Sequence, residues 1–133
     1  MSQDNVEIVL ESFRLFEAFD FDGATHLWHP DSRATGPEDW PEPGPFEGRD
    51  AVIGQFRRLA ADWGQHRLSD VEVITDEGDW VVVTFRWEAR GGQSGATTAA
   101  SFAAAYRIKD RLMSEAHFRW TPEQALEAAG LSE

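Results

Sequence analysis

The side chains best suited to moving a proton lie near the end of the chain, where Glu115, His117 and Arg119 alternate between Leu112 and Trp120. On an extended strand that spacing sets the imidazole and the carboxylate on one face. Such a pair can act as a general acid or base near neutral pH. The same ladder equally suits a solvated or interfacial row of charges with no chemistry. A second grouping is His26, His29 and Asp31. His-x-x-His brings two imidazoles near one helix face, and Asp31 would add a third metal ligand. Pro30 ends that helix at His29 and no fourth ligand is evident. Both histidines therefore read as surface residues, and neither a metal nor another cofactor is expected. The chain has no cysteine, which removes disulfides, thiolate metal ligands and thiol nucleophiles.

Aromatic residues form the other informative set. Six tryptophans and nine phenylalanines are generous for 133 residues, and each aromatic offers roughly 150–250 Å² for burial. Phe56, Phe85, Trp87, Phe102 and Tyr106 fall where they can share one cavity. Ala100 and Ala104 alternate with Phe102 and Tyr106 and leave space beside them. A concave apolar site of this kind suits a small organic ligand. The same residues also suffice for a plain core. Trp40, in a proline-rich stretch, fits either a lid or a dimer edge.

These residues must be positioned by a modest frame. The length fits one domain spanning 1–133. With 24 acidic against 12 basic residues the formal net charge is -12. Phosphate neutralisation by Lys and Arg is therefore unavailable on any scale, and neither nucleic acid nor an anionic membrane is an expected partner. The N-terminus is polar and acidic, without a basic stretch leading into an apolar run, and the expectation is a cytoplasmic protein.

Helical spacing of Val6, Val9, Leu10, Phe13 and Phe16 predicts a first helix from a Ser2 cap to about Asp20, widened by Ile8, Leu15 and Phe19. A short second helix follows, capped by Asp22, with Leu27 and Trp28 inward and Pro30 closing it. Residues 31–48 are rich in Pro, Gly and acids, and four prolines there exclude a regular central strand. Val52, Phe56, Leu59, Ala60 and Trp63 predict a third helix ending at Gly64. The period then changes to 2, giving strands at Leu68–Ile74, Trp80–Arg90, Thr97–Ile108 and Leu112–Trp120, with a loop at Gly91–Gly95. Thr121-Pro122-Glu123-Gln124 is a capping-box start for a last helix that Gly130 stops. Helices first and a meander of strands after them predict an α+β domain.

The opening Met1–Val9, Asp22-Gly23, His29-Pro30-Asp31, Phe46–Val52, Asp76–Val83 and Ala125–Leu131 together resemble SnoaL-like proteins of the nuclear transport factor 2-like superfamily. The resemblance implies a curved antiparallel sheet wrapped around the N-terminal helices as a cone with an internal pocket. It also implies a homodimer. The family includes ketosteroid isomerases, polyketide cyclases, epoxide hydrolases and members without known chemistry, so the fold leaves activity open. The isomerase tyrosine, base and oxyanion acid fall on Leu15, Gly36 and Ala104, which cannot move a proton; Glu38 and Asp39 are the nearest substitutes for the base. The cyclase aspartate falls at Thr121, which helix capping already explains. By the family alignment the His117 face points into the pocket and the face of Leu112, Ala116, Phe118 and Trp120 meets a partner subunit. Plain amphipathicity reverses those faces. The expected ligand set is Leu15, Phe19, Trp40, Phe56, Phe85, Trp87, Phe102, Ala104, Tyr106, Glu115 and Arg119, with His117 the candidate catalytic group. The expected function is binding of an apolar or aromatic metabolite, with any catalysis acid–base. The alternatives are a structural or regulatory dimer and an isomerase or cyclase-like enzyme.

Overall fold

The computed structural model describes residues 2–62, 65–91 and 96–131, without the side chains of residues 2 and 3. The Ser2 side chain, on which the expected cap rests, is not described, and the Trp63–Gly64 helix end and residues 92–95 of the glycine-rich loop lie outside the described residues. Helix α1 spans Ser2–Glu17. It closes with Phe19 in the left-handed region at φ 58°, with Phe19 N–H donating to Phe16 O at 3.0 Å and Asp20 N–H to Leu15 O at 2.9 Å. Helix α2 covers Phe21–Thr25. Its cap is Asp20 rather than Asp22: the Asp20 carboxylate accepts from Gly23 N–H at 2.9 Å. That approach needs glycine, because a Cβ at Gly23 would sit 2.6 Å from Asp20 Oδ2.

The first departure from the sequence reading follows. Trp28–Thr35 is a strand, β1, so Trp28, His29 and Pro30 are not helical. Pro30 is tolerated because the ladder to the neighbouring strand is irregular between Trp28 and Arg33, where a missing N–H costs no pairing. A two-residue strand β2, Phe46–Glu47, pairs with β1 and leads into helix α3, Arg49–Asp62. The four remaining strands are β3 (Gln65–Thr75), β4 (Trp80–Arg90), β5 (Thr97–Lys109) and β6 (Leu112–Arg119).

The six strands form a curved, unclosed sheet in the order β2-β1-β6-β5-β4-β3. Every pairing is antiparallel except β1 with β6, which is parallel. The β5–β6 turn places Asp110 and Arg111 at φ 54° and 67°, the primed geometry that matches strand twist.

The sheet has two buried faces. Phe85, Trp87, Phe102, Ala104 and Tyr106 turn inward and pack with Val9, Phe13 and Val52 from α1 and α3. On the outer face Val82, Ala103 and Ala105 meet Ala125 and Ala129 of helix α4, Pro122–Ala128. Alanine on both sides lets the helix lie close to the sheet. The cap forms as expected: Thr121 Oγ1 accepts from Gln124 N–H at 3.2 Å, and Gln124 Oε1 accepts from Trp120 N–H at 3.2 Å. Gly130, at φ 72°, ends the helix, with Leu131 N–H bonded to Leu126 O at 2.9 Å. Among the described residues no helix is long and apolar enough to cross a membrane.

Candidate functional site

Between the inner sheet face, α1 and α3 lies a cavity of about 110 Å³. Six of the expected ligand residues line it: Trp40, Phe56, Phe85, Trp87, Phe102 and Tyr106. Phe85 and Phe102 stack at 5.6 Å, and Phe13 meets Phe85 edge-on at 4.8 Å. Trp40 stands over this group, with ring centroids 5.5 Å from Phe102 and 6.1 Å from Trp87. The loop carrying it is tied down by Gly36 N–H to Pro43 O at 2.8 Å and by Arg58 Nη2 to Glu42 Oε1 at 2.8 Å. Asp39 Oδ1 accepts from Trp120 Nε1–H at 2.8 Å, and Trp120 stacks on Phe102 at 5.0 Å. Trp40 therefore covers the cavity from within its own chain.

The other expected residues lie elsewhere. Leu15 is buried in the core on a different side of α1 from the lining residues Phe13 and Phe16. Phe19, beyond the helix end, is exposed and packs edge-on against His66 at 5.5 Å. Ala104 is fully buried without reaching the cavity. Of the isomerase positions only Gly36 touches the cavity, and neither Glu38 nor Asp39 does.

Glu115, His117 and Arg119 lie on the outer face, opposite Ala116 and Phe118, which turn inward. The expected pocket-facing orientation of His117 is thus reversed, and plain alternation of apolar and polar residues decides the matter. The same reversal removes Ala116 and Phe118 from any subunit contact. Met113 departs from the alternation as well. An irregularity between Arg107 and Ile108, which pair with Glu115 and Met113, turns its side chain into the core with no exposure.

The outer-face residues form a connected network. His117 Nε2 lies 2.9 Å from Glu115 Oε1, and Nδ1 lies 2.7 Å from Thr35 Oγ1. Arg119 Nη1 donates to Thr35 Oγ1 at 2.9 Å, and Arg107 Nη1 to Glu115 Oε2 at 3.2 Å. With a neutral imidazole every contact is satisfied: Arg119 donates to Thr35, Thr35 O–H to Nδ1, and Nε2–H to Glu115. Burial holds the His117 pKa below its ordinary value, against the pull of Glu115. Burial alone would raise Glu115, but hydrogen bonds from His117 and Arg107 carry it below the usual carboxylate value. Thr35 also borders the cavity, and among the described residues it is the side chain that joins network and cavity, while Arg119 also donates to the carbonyls of the lining residues Gly36 and Phe118. Among the described residues no cluster of His, Asp and Glu is arranged to hold a metal ion.

Sequence reasoning missed Phe13, Phe16, Phe118, Gln55, Thr35 and Glu42 on the cavity wall. Two hydroxyls there differ in kind. Ser12 donates to Val9 O at 2.6 Å. Tyr106 is only 2% exposed, and its hydroxyl has no hydrogen-bond partner among the described residues. Burial pushes its pKa far up, so it stays a protonated phenol. The Gln55 amide likewise has no protein partner among the described residues.

Residues 9–116 match the family model of the SnoaL-like domain, and the chain belongs to that family. Its architecture is that of the NTF2-like proteins. It is similar over 93% of its length to an NTF2-like protein of unknown function from Burkholderia pseudomallei K96243 (20% identity, 95% of that chain, TM-score 0.76). A candidate polyketide cyclase from Xanthomonas campestris pv. campestris superposes over 92% of this chain and 93% of its own (17% identity, TM-score 0.74). TerC, co-crystallised with polyporic acid, does so over 93% and 98% (22% identity, TM-score 0.75). At these identities the likeness concerns the fold. No curated protein sequence matches the chain.

Proposed function

We propose that this protein is a cytoplasmic small-molecule-binding member of its family, holding an apolar or aromatic metabolite in the cavity beneath Trp40. The observation that carries the reading is an aromatic-walled cavity of about 110 Å³ onto which the Tyr106 hydroxyl opens with no protein partner among the described residues. A hydroxyl so placed can give or receive a hydrogen bond, and a ligand oxygen or nitrogen in the cavity would pair with it. The co-crystallisation of TerC, a similar fold, with polyporic acid supports a small-molecule ligand for this chain. Any turnover is acid–base in kind, with His117 reaching the cavity through the Thr35 hydroxyl. A homodimer, the assembly the family resemblance implies, completes the proposal; a single-chain mass by light scattering at micromolar concentration would remove that part.

The test is a thermal-shift screen against steroids, aromatic polyketides, terpenoid epoxides and fatty acids, extended to single-ring phenols and amides. A ligand at ~100 times its Kd adds about 2.7 kcal/mol, which raises Tm by several degrees in a domain of this size. A hit whose effect disappears in a Phe102→Trp variant, which fills the cavity, supports the reading. If no compound shifts Tm and none gives saturation-transfer NMR signals, the weight moves to the alternative, a structural or regulatory protein in which the cavity is a packing feature.

A further inference from the structure

The lining of the cavity restricts what chemistry it admits. No Lys, Arg or His borders it among the described residues, and the only charged side chain on its wall is Glu42. Glu42 is engaged by Arg58 through both carboxylate oxygens, at 2.8 to 3.2 Å. That pairing keeps it ionised, so it offers no proton and presents negative charge at the rim. The wall otherwise consists mainly of ring faces and edges, with the Tyr106 hydroxyl, the Gln55 amide and the indole N–H groups of Trp28 and Trp40 as neutral groups free to form hydrogen bonds; of these only Tyr106 and Gln55 can also accept one. An anion entering this space would lose its hydration and meet no counter-charge. Size restricts further. An engineered apolar cavity of ~150 Å³ takes benzene, so about 110 Å³ with the Trp40 loop in place sets a single ring as the upper limit, with any polar substituent directed towards the open side.

Resting on the binding role proposed above, we infer that the cavity selects an uncharged single-ring aromatic carrying a hydroxyl, carbonyl or amide group, and rejects carboxylates and phosphates. Tyr106 and Gln55 are the specificity-determining residues. Tyr106 can give or receive a hydrogen bond, and Gln55 can do both at once, so phenols, aromatic aldehydes, ketones and amides are all served. Carboxylates of the same shape are not.

The experiment uses two matched pairs, benzamide against benzoate and phenol against toluene, titrated at pH 7.5 by calorimetry and saturation-transfer NMR. Benzamide is expected to bind at least about tenfold more tightly than benzoate, since an unpaired charge is far costlier to bury than a dipole. Phenol should exceed toluene by about fivefold, the net yield of one hydrogen bond. Tyr106→Phe and Gln55→Leu should each reduce the preference for phenol or benzamide while leaving toluene unchanged, with Tm recorded to show that both variants fold. Benzoate binding within about threefold of benzamide would overturn the inference, as would a phenol preference untouched by both substitutions. If toluene, phenol and benzamide all fail to bind at millimolar concentration, the binding role itself falls, a result distinct from loss of selectivity.

Discussion

Replacing Tyr106 by Phe should make the ligand-free protein more stable, the reverse of what most core substitutions do. The ring would keep its place, with centroids 6.1 Å from Phe13 and 5.9 Å from Phe118. Only the hydroxyl would go, and it has no hydrogen-bond partner among the described residues. A fully buried group of this kind would cost about 1–3 kcal/mol, but this hydroxyl opens onto the cavity and is not among the buried unpaired atoms. Because the residue borders a cavity in which water can offset part of that, the low end applies, about 1 kcal/mol. In a domain of this length that corresponds to a rise of about 3–5 °C in Tm. Urea denaturation followed by tryptophan fluorescence measures it directly, with an unchanged m-value showing that the same surface unfolds. A Phe variant less stable than wild type by more than about 0.5 kcal/mol would refute the reasoning, since the hydroxyl must then be engaged in the folded state. A gain in stability joined to a loss of phenol affinity would mark Tyr106 as a residue kept for binding at the expense of stability.

Acid should destabilise the fold through the outer-face network. His117 titrates below its ordinary 6.5 in the folded protein, so its contribution is present above that value and lost as pH falls through its folded pKa. Glu115, lowered from 4.5, adds a further loss below that pH. Tm recorded between pH 7.5 and 5 should therefore decline, and His117→Gln should flatten the upper part of the decline; an unchanged slope would contradict the burial-driven shift. Trp40→Ala removes ring contacts with Trp87, Phe102 and Trp120, each worth ~0.5–1.5 kcal/mol. It should cost about 2–3 kcal/mol in denaturation experiments and admit two-ring ligands that the parent excludes. Thr121→Ala should cost about 1 kcal/mol by loss of the α4 cap, while Thr121→Ser retains most of it.

What the sequence disclosed depended on periodicity and local chemistry. The strands from Trp80 to Arg119 were legible because period-2 stretches such as Phe85–Arg90 and Glu115–Arg119 flank short apolar runs, Val81–Val83 and Phe102–Tyr106, with turn residues between them. The last helix was legible because Thr121, Pro122 and Gly130 each have one structural use. Strand β1 was not. Its burial alternates weakly, Pro30 stands near its start, and its partner lies over eighty residues away, so no local signal exists. Of the six cavity residues, Phe85, Trp87, Phe102 and Tyr106 came from strand alternation, Phe56 from helical spacing and Trp40 from its place in the proline-rich stretch. Phe13 and Phe16 were missed because a helix stripe does not say which part meets a void and which meets a wall. The orientation of His117 follows the amphipathicity of its strand rather than the family resemblance, and the inward turn of Met113 rests on a bulge, which leaves no trace in composition. Asp22 lost the cap to Asp20 for a steric reason visible only once Gly23 is seen against the Asp20 carboxylate.

The parallel pairing of β1 with β6 has a consequence for the order in which the molecule can be made. Strand β1 forms its ladder with residues 113–117, which leave the ribosome only after the whole β3–β4–β5 meander has been synthesised. Until then the edge of Trp28–Thr35 has only the two-residue strand β2 beside it, and the cavity lacks one wall. The meander can zip as successive hairpins while β1 waits, so closure of the cavity is a late, long-range event and folding is slow for the chain's size. A nascent chain released before Met113 would present an open, aromatic-lined trough, the species of this protein most prone to self-association.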